Sequence, residues 1–165
     1  MSNFQKNRIM KYPLALAVGA VLLSLLSCKP EGRIYEKHKD LSPNVEWLRS
    51  DVRTFEFVVE DTLSTYEIGV GLRYASGFVH QYGKVSMVLT SPSGKSTEHM
   101  FSLKVREDNG DYIGEPGFEI WDSHHPVLKN VTFEESGEYQ ATFQHAMERD
   151  PMNMVMEIGL TIDKE

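Results

Sequence analysis

A single cysteine, Cys28, occurs in the 165 residues, so no internal disulfide can form and a disulfide-stapled fold is excluded. Cations are also scarce, 17 Lys+Arg against 24 Asp+Glu for a formal charge of −7. Nucleic acid demands Lys and Arg to neutralise its phosphates, and this balance speaks against it as a partner. It equally leaves no polybasic face for anionic headgroups. Long apolar runs are missing too. The longest, residues 13–27 (PLALAVGAVLLSLLS), spans roughly 22 Å as a helix, against roughly 30 Å of hydrocarbon. A permanent membrane span is not expected. There is no G-x-S-x-G nucleophile elbow, and no convincing amphipathic helical period follows the apolar run.

What the chain does have starts at that run. Lys6, Arg8 and Lys11 precede it, and no acidic residue occurs in 1–27, which is the layout of an export signal. The A-x-A-like site of an ordinary signal peptide is absent. Leu25-Leu26-Ser27-Cys28 looks instead like a bacterial lipobox. In such a motif a thioether-linked diacylglycerol is placed on the cysteine and cleavage follows just before it. The expected organisation is a lipoprotein signal peptide over 1–27, a lipidated tether over 28–33, and a single β-sandwich domain over 34–165. Cys28 is the expected lipidation site, and its acyl chains (palmitate) would anchor the protein by burying methylenes at about 0.8 kcal/mol each. The address is then a membrane of the bacterial cell envelope, inner or outer left open. Loss of 1–27 removes three cations and no anion, taking the formal charge to about −10.

From Ile34 onward the period is 2, the signature of half-buried strands. Residues 34–39 fit a first edge strand. Ser42-Pro43 offers an N-cap followed by Pro at N1, predicting one helical turn over 43–48 that carries Trp47. Residues 54–60 alternate, with Phe55, Phe57 and Val59 on one face. Over 66–74, Tyr66, Ile68, Val70, Leu72 and Tyr74 share a face opposite Glu67, Gly69, Gly71 and Arg73. Val85, Met87 and Leu89 continue the alternation, and Ser91-Pro92-Ser93-Gly94 suits a type I turn. His99, Phe101, Leu103 and Val105 share the next face, and 106–117 is the longest loop. Residues 118–121, Val127-Leu128 and Val131–Phe133 read as short separate apolar pieces. Tyr139, Ala141, Phe143 and His145 form another face. Met154, Met156, Ile158, Leu160 and Ile162 form the last. About eight short strands separated by turns predict an all-β, antiparallel β-sandwich, immunoglobulin-like or jelly-roll-like.

No catalytic or metal constellation stands out. His124 and His125 are adjacent, so a strand would send them to opposite sides, and the other histidines lack converging spacing. Carboxylates such as Asp108, Asp111, Glu115, Glu134 and Glu135 lie in turn-forming stretches, where they serve solvation and local hydrogen bonds. Asp108-Asn109-Gly110-Asp111 lacks the spacing of a Ca²⁺ loop. Gly69-Val70-Gly71 sits inside a strand, where glycine permits close approach of another segment or a bulge. Aromatics near two loops, Tyr74, Phe78 and Tyr82 in one and Tyr112, Phe118 and Trp121 in the other, are the remaining candidates. They suit either a core cap, a sugar platform or a protein interface. No cofactor and no metal are expected.

Taken together the chain resembles the gliding-motility lipoprotein GldH family of Bacteroidota, from the lipobox to the last strand. The resemblance is carried by Arg33-Ile34-Tyr35-Glu36, Phe55-Glu56-Phe57, Leu89-Thr90-Ser91-Pro92-Ser93-Gly94-Lys95, and a C-terminal run. That run holds Gly137-Glu138-Tyr139, His145-Ala146-Met147-Glu148, Asp150-Pro151 and Ile158-Gly159-Leu160-Thr161-Ile162. Residues 77–83 and 147–154 depart from the family pattern. The resemblance implies a non-enzymatic scaffold whose partners are other envelope proteins of the gliding machinery, linked to type IX secretion. A small-molecule ligand is not implied. The alternative is a glycan-binding envelope lipoprotein using Tyr82, Tyr112 or Trp121.

Overall fold

The computed structural model describes residues 32–165. In chain order the strands are β1 (Arg33–Asp40), β2 (Glu46–Trp47), β3 (Arg53–Val59), β4 (Tyr66–Ala75), β5 (Tyr82–Thr90), β6 (Ser96–Lys104), β7 (Glu115–Pro116), β8 (Ile120–Val131), β9 (Gly137–His145), β10 (Met152–Asn153) and β11 (Val155–Lys164). Eight of them are seven residues or longer, and every pairing is antiparallel. One sheet has the order β1-β11-β4-β8-β7 and a second the order β3-β9-β5-β6. Their inward faces bury the same alternating residues that the period-2 pattern marks, Phe55, Phe57 and Val59 against Ile68, Val70 and Leu72. The fold is the expected all-β antiparallel sandwich.

Phe57 is the hub of this core. Its ring centroid lies 5.6 Å from Tyr35 in the five-stranded sheet and 5.8 Å from both Phe133 and Tyr139. Phe133 in turn meets Tyr66 at 5.1 Å. Tilted, edge-to-face and stacked contacts of this kind add to the area buried, and they tie strands from both sheets.

Three stretches depart from the sequence expectation. Residues 43–48 form no helix. Ser42 Oγ accepts from the Asn44 N–H, Val45 N–H donates to Ser42 O, and β2 pairs with β10. An isolated turn of helix is costly to nucleate. Here the chain instead buries Trp47 completely, with its indole N–H donating to Asp51 O at 2.6 Å. The pieces at 118–133 belong mostly to one strand, β8. Its pairing with β4 shifts register twice, around Ile68, so the apolar residues fall out of strict alternation. In the last strand a bulge between Val155 and Glu157 makes Val155, not Met154 or Met156, the inward residue.

The two ends of the sandwich differ in role. At one, Gly32 O accepts from Lys164 N–H at 2.8 Å, and Arg33 clamps Asp163 with two bonds of 2.8 and 3.1 Å. That pairing, with Glu36 in reach, raises the Arg33 pKa above its ordinary value. Gly32, the first described residue, therefore lies at this end. β11 runs from it across nine steps to Val155, so the other end lies about 30 Å away.

Candidate functional site

The far end is built by three loops that lock together, residues 76–81, 105–119 and 146–154. Ser76 N–H donates to Glu119 O (2.8 Å), Gly77 N–H to the Tyr112 hydroxyl (2.7 Å), and Gln81 O accepts from Val105 N–H (2.9 Å). Tyr74, fully buried at the end of β4, places its hydroxyl 2.6 Å from Ile113 O and 2.7 Å from Val105 O. Burial is the main cause that pushes that phenol up to about 12, so it stays neutral. Arg106 stands over the Tyr112 ring at 4.7 Å and donates to Gly110 O. The result is a loop surface held rigidly by backbone and buried side chains.

Its two most exposed hydrophobic side chains are Phe118 and Val79. Phe118, 91% exposed, sits in the turn before β8, where Gly117 N–H donates to Ile120 O and Glu119 takes the left-handed backbone conformation. Val79, 75% exposed, sits in the 76–81 loop. At the same end a concavity of about 290 Å³ is lined by residues including His80, next in sequence to Val79, with Tyr82, Lys84, Met147 and Arg149. An exposed aromatic on a hydrogen-bonded loop surface suits an interface anchor.

The sequence-predicted aromatics divide three ways. Tyr74 and Phe78 are core residues, at 0% and 1% exposure. Tyr112 and Trp121 stack on each other at 5.3 Å, half-buried, with the Trp121 indole N–H donating to Ser76 Oγ. Tyr82 and Phe118 are exposed. Val79 escapes the sequence reading, although an apolar residue stranded in a loop between turn formers was a usable signal.

Elsewhere the side chains are structural. Gly69 allows close approach, as expected, whereas Gly71 has only ordinary contacts around it. A Cβ at Gly69 would collide with Thr161 Oγ1 and His124 Nε2, themselves 3.0 Å apart, and one at Gly159 would collide with the His38 ring. Glu135 accepts from Ser91 Oγ, Ser93 Oγ and Ser93 N–H, which holds its carboxyl below the usual range and fixes the 91–94 turn. Asp108 accepts from Gln81, and Asp111 from Asn109. Among the described residues no group of three or more His, Cys, Asp or Glu is arranged around a metal position. Cys28 lies outside the described residues.

His124 and His125 point to opposite faces of β8. His125 is the inward one, its Nε2 enclosed without a hydrogen-bond partner among the described residues. Burial, then neighbouring His124, pushes its pKa down to about 4. Between the unfolded value near 6.5 and the folded value near 4, the unfolded chain binds the extra proton. Stability is therefore present above pH 6.5 and falls as pH drops towards 4. The full shift corresponds to roughly 3 kcal/mol, reduced to about 1–2 because the ring is partly reached by solvent. Melting followed by circular dichroism from pH 7 to 4 should show this loss, and His125→Leu should lessen it. An equal loss in the variant contradicts the assignment.

An antiparallel sandwich with one rigid, apolar-tipped loop end falls in the class of β-sandwich domains that present a loop surface. Within that class the chain belongs to the GldH lipoprotein family, whose model matches residues 33–162. It is 22% identical over 149 residues to the protein called gliding motility lipoprotein GldH homolog of Christiangramia forsetii, covering 85% of this chain and 89% of that one. Among solved structures it is similar to a family GH115 4-O-methyl-α-glucuronidase with specificity for decorated arabinogalactans. That likeness has 9% identity and a TM-score of 0.39, and covers 83% of this chain but only 18% of the enzyme. It is also similar to the infectious bursal disease virus VP2 subviral particle, with 15% identity and a TM-score of 0.35, over 82% of this chain and 33% of that one. Neither structural likeness carries functional weight.

Proposed function

We propose that the protein is a lipid-anchored, non-enzymatic scaffold of the gliding-motility machinery, linked to type IX secretion, in the bacterial cell envelope. The lipoprotein family and its relative named for gliding motility support the setting. Cys28 is the lipidation site, residues 1–27 the signal peptide that is removed, 28–33 the tether, and 34–165 the single domain that does the work. The observation that carries the scaffold reading is the exposure of Phe118 and Val79 on locked loops, about 30 Å from the tether end. Tethering beside partner proteins raises effective concentration enough for weak contacts at this surface to suffice.

The test is crosslinking and affinity purification of the lipidated protein from its own envelope, with neighbours identified by mass spectrometry. Phe118→Asp combined with Val79→Asp should fold normally and lose the specific neighbours. An unchanged neighbour set in the double variant contradicts the docking end. The glycan alternative now rests mainly on Tyr82, since Tyr112 is engaged by Arg106 and Trp121. Glycan-array binding that disappears in Tyr82→Ala would favour it over the scaffold.

A further inference from the structure

Gly32 is four residues beyond Cys28, a length of chain that reaches at most about 14 Å. Gly32 is itself pinned to Lys164, and Arg33 to Asp163. If Cys28 is acylated, as proposed above, this end of the sandwich cannot stand off from the bilayer. It must lie at the headgroups.

That end shows an unusual set of side chains. Leu63, at the tip of the turn between β3 and β4, is 96% exposed. The turn is fixed around it: Asp61 accepts from Leu63 N–H (2.8 Å), Ser64 Oγ (2.8 Å) and Lys164 Nζ (2.7 Å), and the Tyr66 hydroxyl donates to Asp61 O (2.6 Å). Leu63 is thereby held outward, unable to fold back onto the core. Ile34 and Val58, both exposed, line an adjoining concavity of about 510 Å³ together with Glu60, Asp61, Tyr66 and Lys164. A leucine fixed in water contributes nothing to the fold. Placed against a membrane it contributes area to the interfacial zone, where apolar groups sit about 5–10 Å deep.

We propose that this end is a second membrane contact, with Leu63 at its tip and Val58 and Ile34 behind it entering the headgroup–acyl boundary of the bilayer. The contact stands the sandwich on end and points Phe118 and Val79 away from the lipid. Around the patch Lys164 pairs with Asp61 and Arg33 with Asp163, while Glu60 has no ion pair among the described residues, so zwitterionic phospholipid is the fitting surface and anionic lipid is not. The proposal rests on acylation at Cys28, and the experiment separates the two.

Acylated protein carrying Leu63→Cys has one free thiol, because Cys28 is occupied. Labelled there with a polarity-sensitive fluorophore and bound to phosphatidylcholine vesicles, it should shift to the blue and be quenched by brominated acyl chains. The same label at Phe118→Cys should keep its aqueous spectrum. Vesicle-bound protein whose label at 63 matches that at 118 overturns the contact while leaving the anchor intact. A blue shift without bromine quenching points to contact between copies and overturns it too. Absence of acyl mass on the purified protein removes the anchor and this contact together, and is read before any vesicle is added. As a label-free check, amide exchange over residues 60–65 of the unsubstituted protein should slow on vesicles and remain fast in water.

Discussion

Phe57→Ala should lower the stability of the sandwich by about 3–5 kcal/mol, the range for deleting a buried aromatic ring. Phe57 is 3% exposed and touches Tyr35, Phe133 and Tyr139 at ring distances below 6 Å. Its loss leaves a cavity between the two sheets, on the side where edge strands β1 and β3 face each other. For a domain of this size such a loss corresponds to roughly 10–15 °C in melting temperature. Phe57→Leu keeps most of the volume and should cost much less. Reversible thermal or urea unfolding of the domain measures both. Equal effects of the alanine and leucine variants would mean that the aromatic cluster is not the joint between the sheets.

Cys28→Ser should leave a folded, soluble domain and abolish function in cells. The substitution lies outside residues 32–165, so melting of the domain should be unchanged within about 0.5 kcal/mol. On the proposed lipidation it removes the thioether, and with it every buried methylene at about 0.8 kcal/mol each. Without tethering, weak contacts lose an effective-concentration advantage of about 10²–10⁴. Cell fractionation and a motility or secretion assay in cells expressing only the variant measure the two consequences. Normal function from the soluble form would remove the anchoring mechanism while leaving the fold untouched.

Where side chains alternate without interruption the strands were legible in the sequence. β3, β4 and β9 bury the residues that the period-2 pattern marks, because each runs straight through the sandwich with one face inward. β8 was legible only in fragments, since its register shifts move successive apolar residues off one face. Ser42-Pro43 is a good local start and predicts a helical turn carrying Trp47. The pairing of β2 with β10, which overrides it, joins residues about a hundred positions apart. The same distance hid the strand order: β1 and β11, from opposite ends of the domain, are neighbours.

The candidate site was legible only in part. Phe118 and Tyr82 were marked as loop aromatics, yet nothing in their spacing separated them from Tyr74 and Phe78, which the core absorbs. Leu63 and Val79 carry no periodic signal at all. They become visible only when hydrogen-bonded turns show that they have nowhere inward to go. The two segments that depart from the family pattern, 77–83 and 147–154, both belong to the far loop end, where partner contacts are proposed and the fold tolerates change.

The most direct measurement is the intact mass of the protein extracted from its native envelope. The expected result is a chain beginning at Cys28, heavier than residues 28–165 by a diacylglyceryl thioether and its further acyl chain. A chain that keeps residues 1–27, or carries a free thiol at position 28, would contradict the tethered scaffold and the end-on placement together.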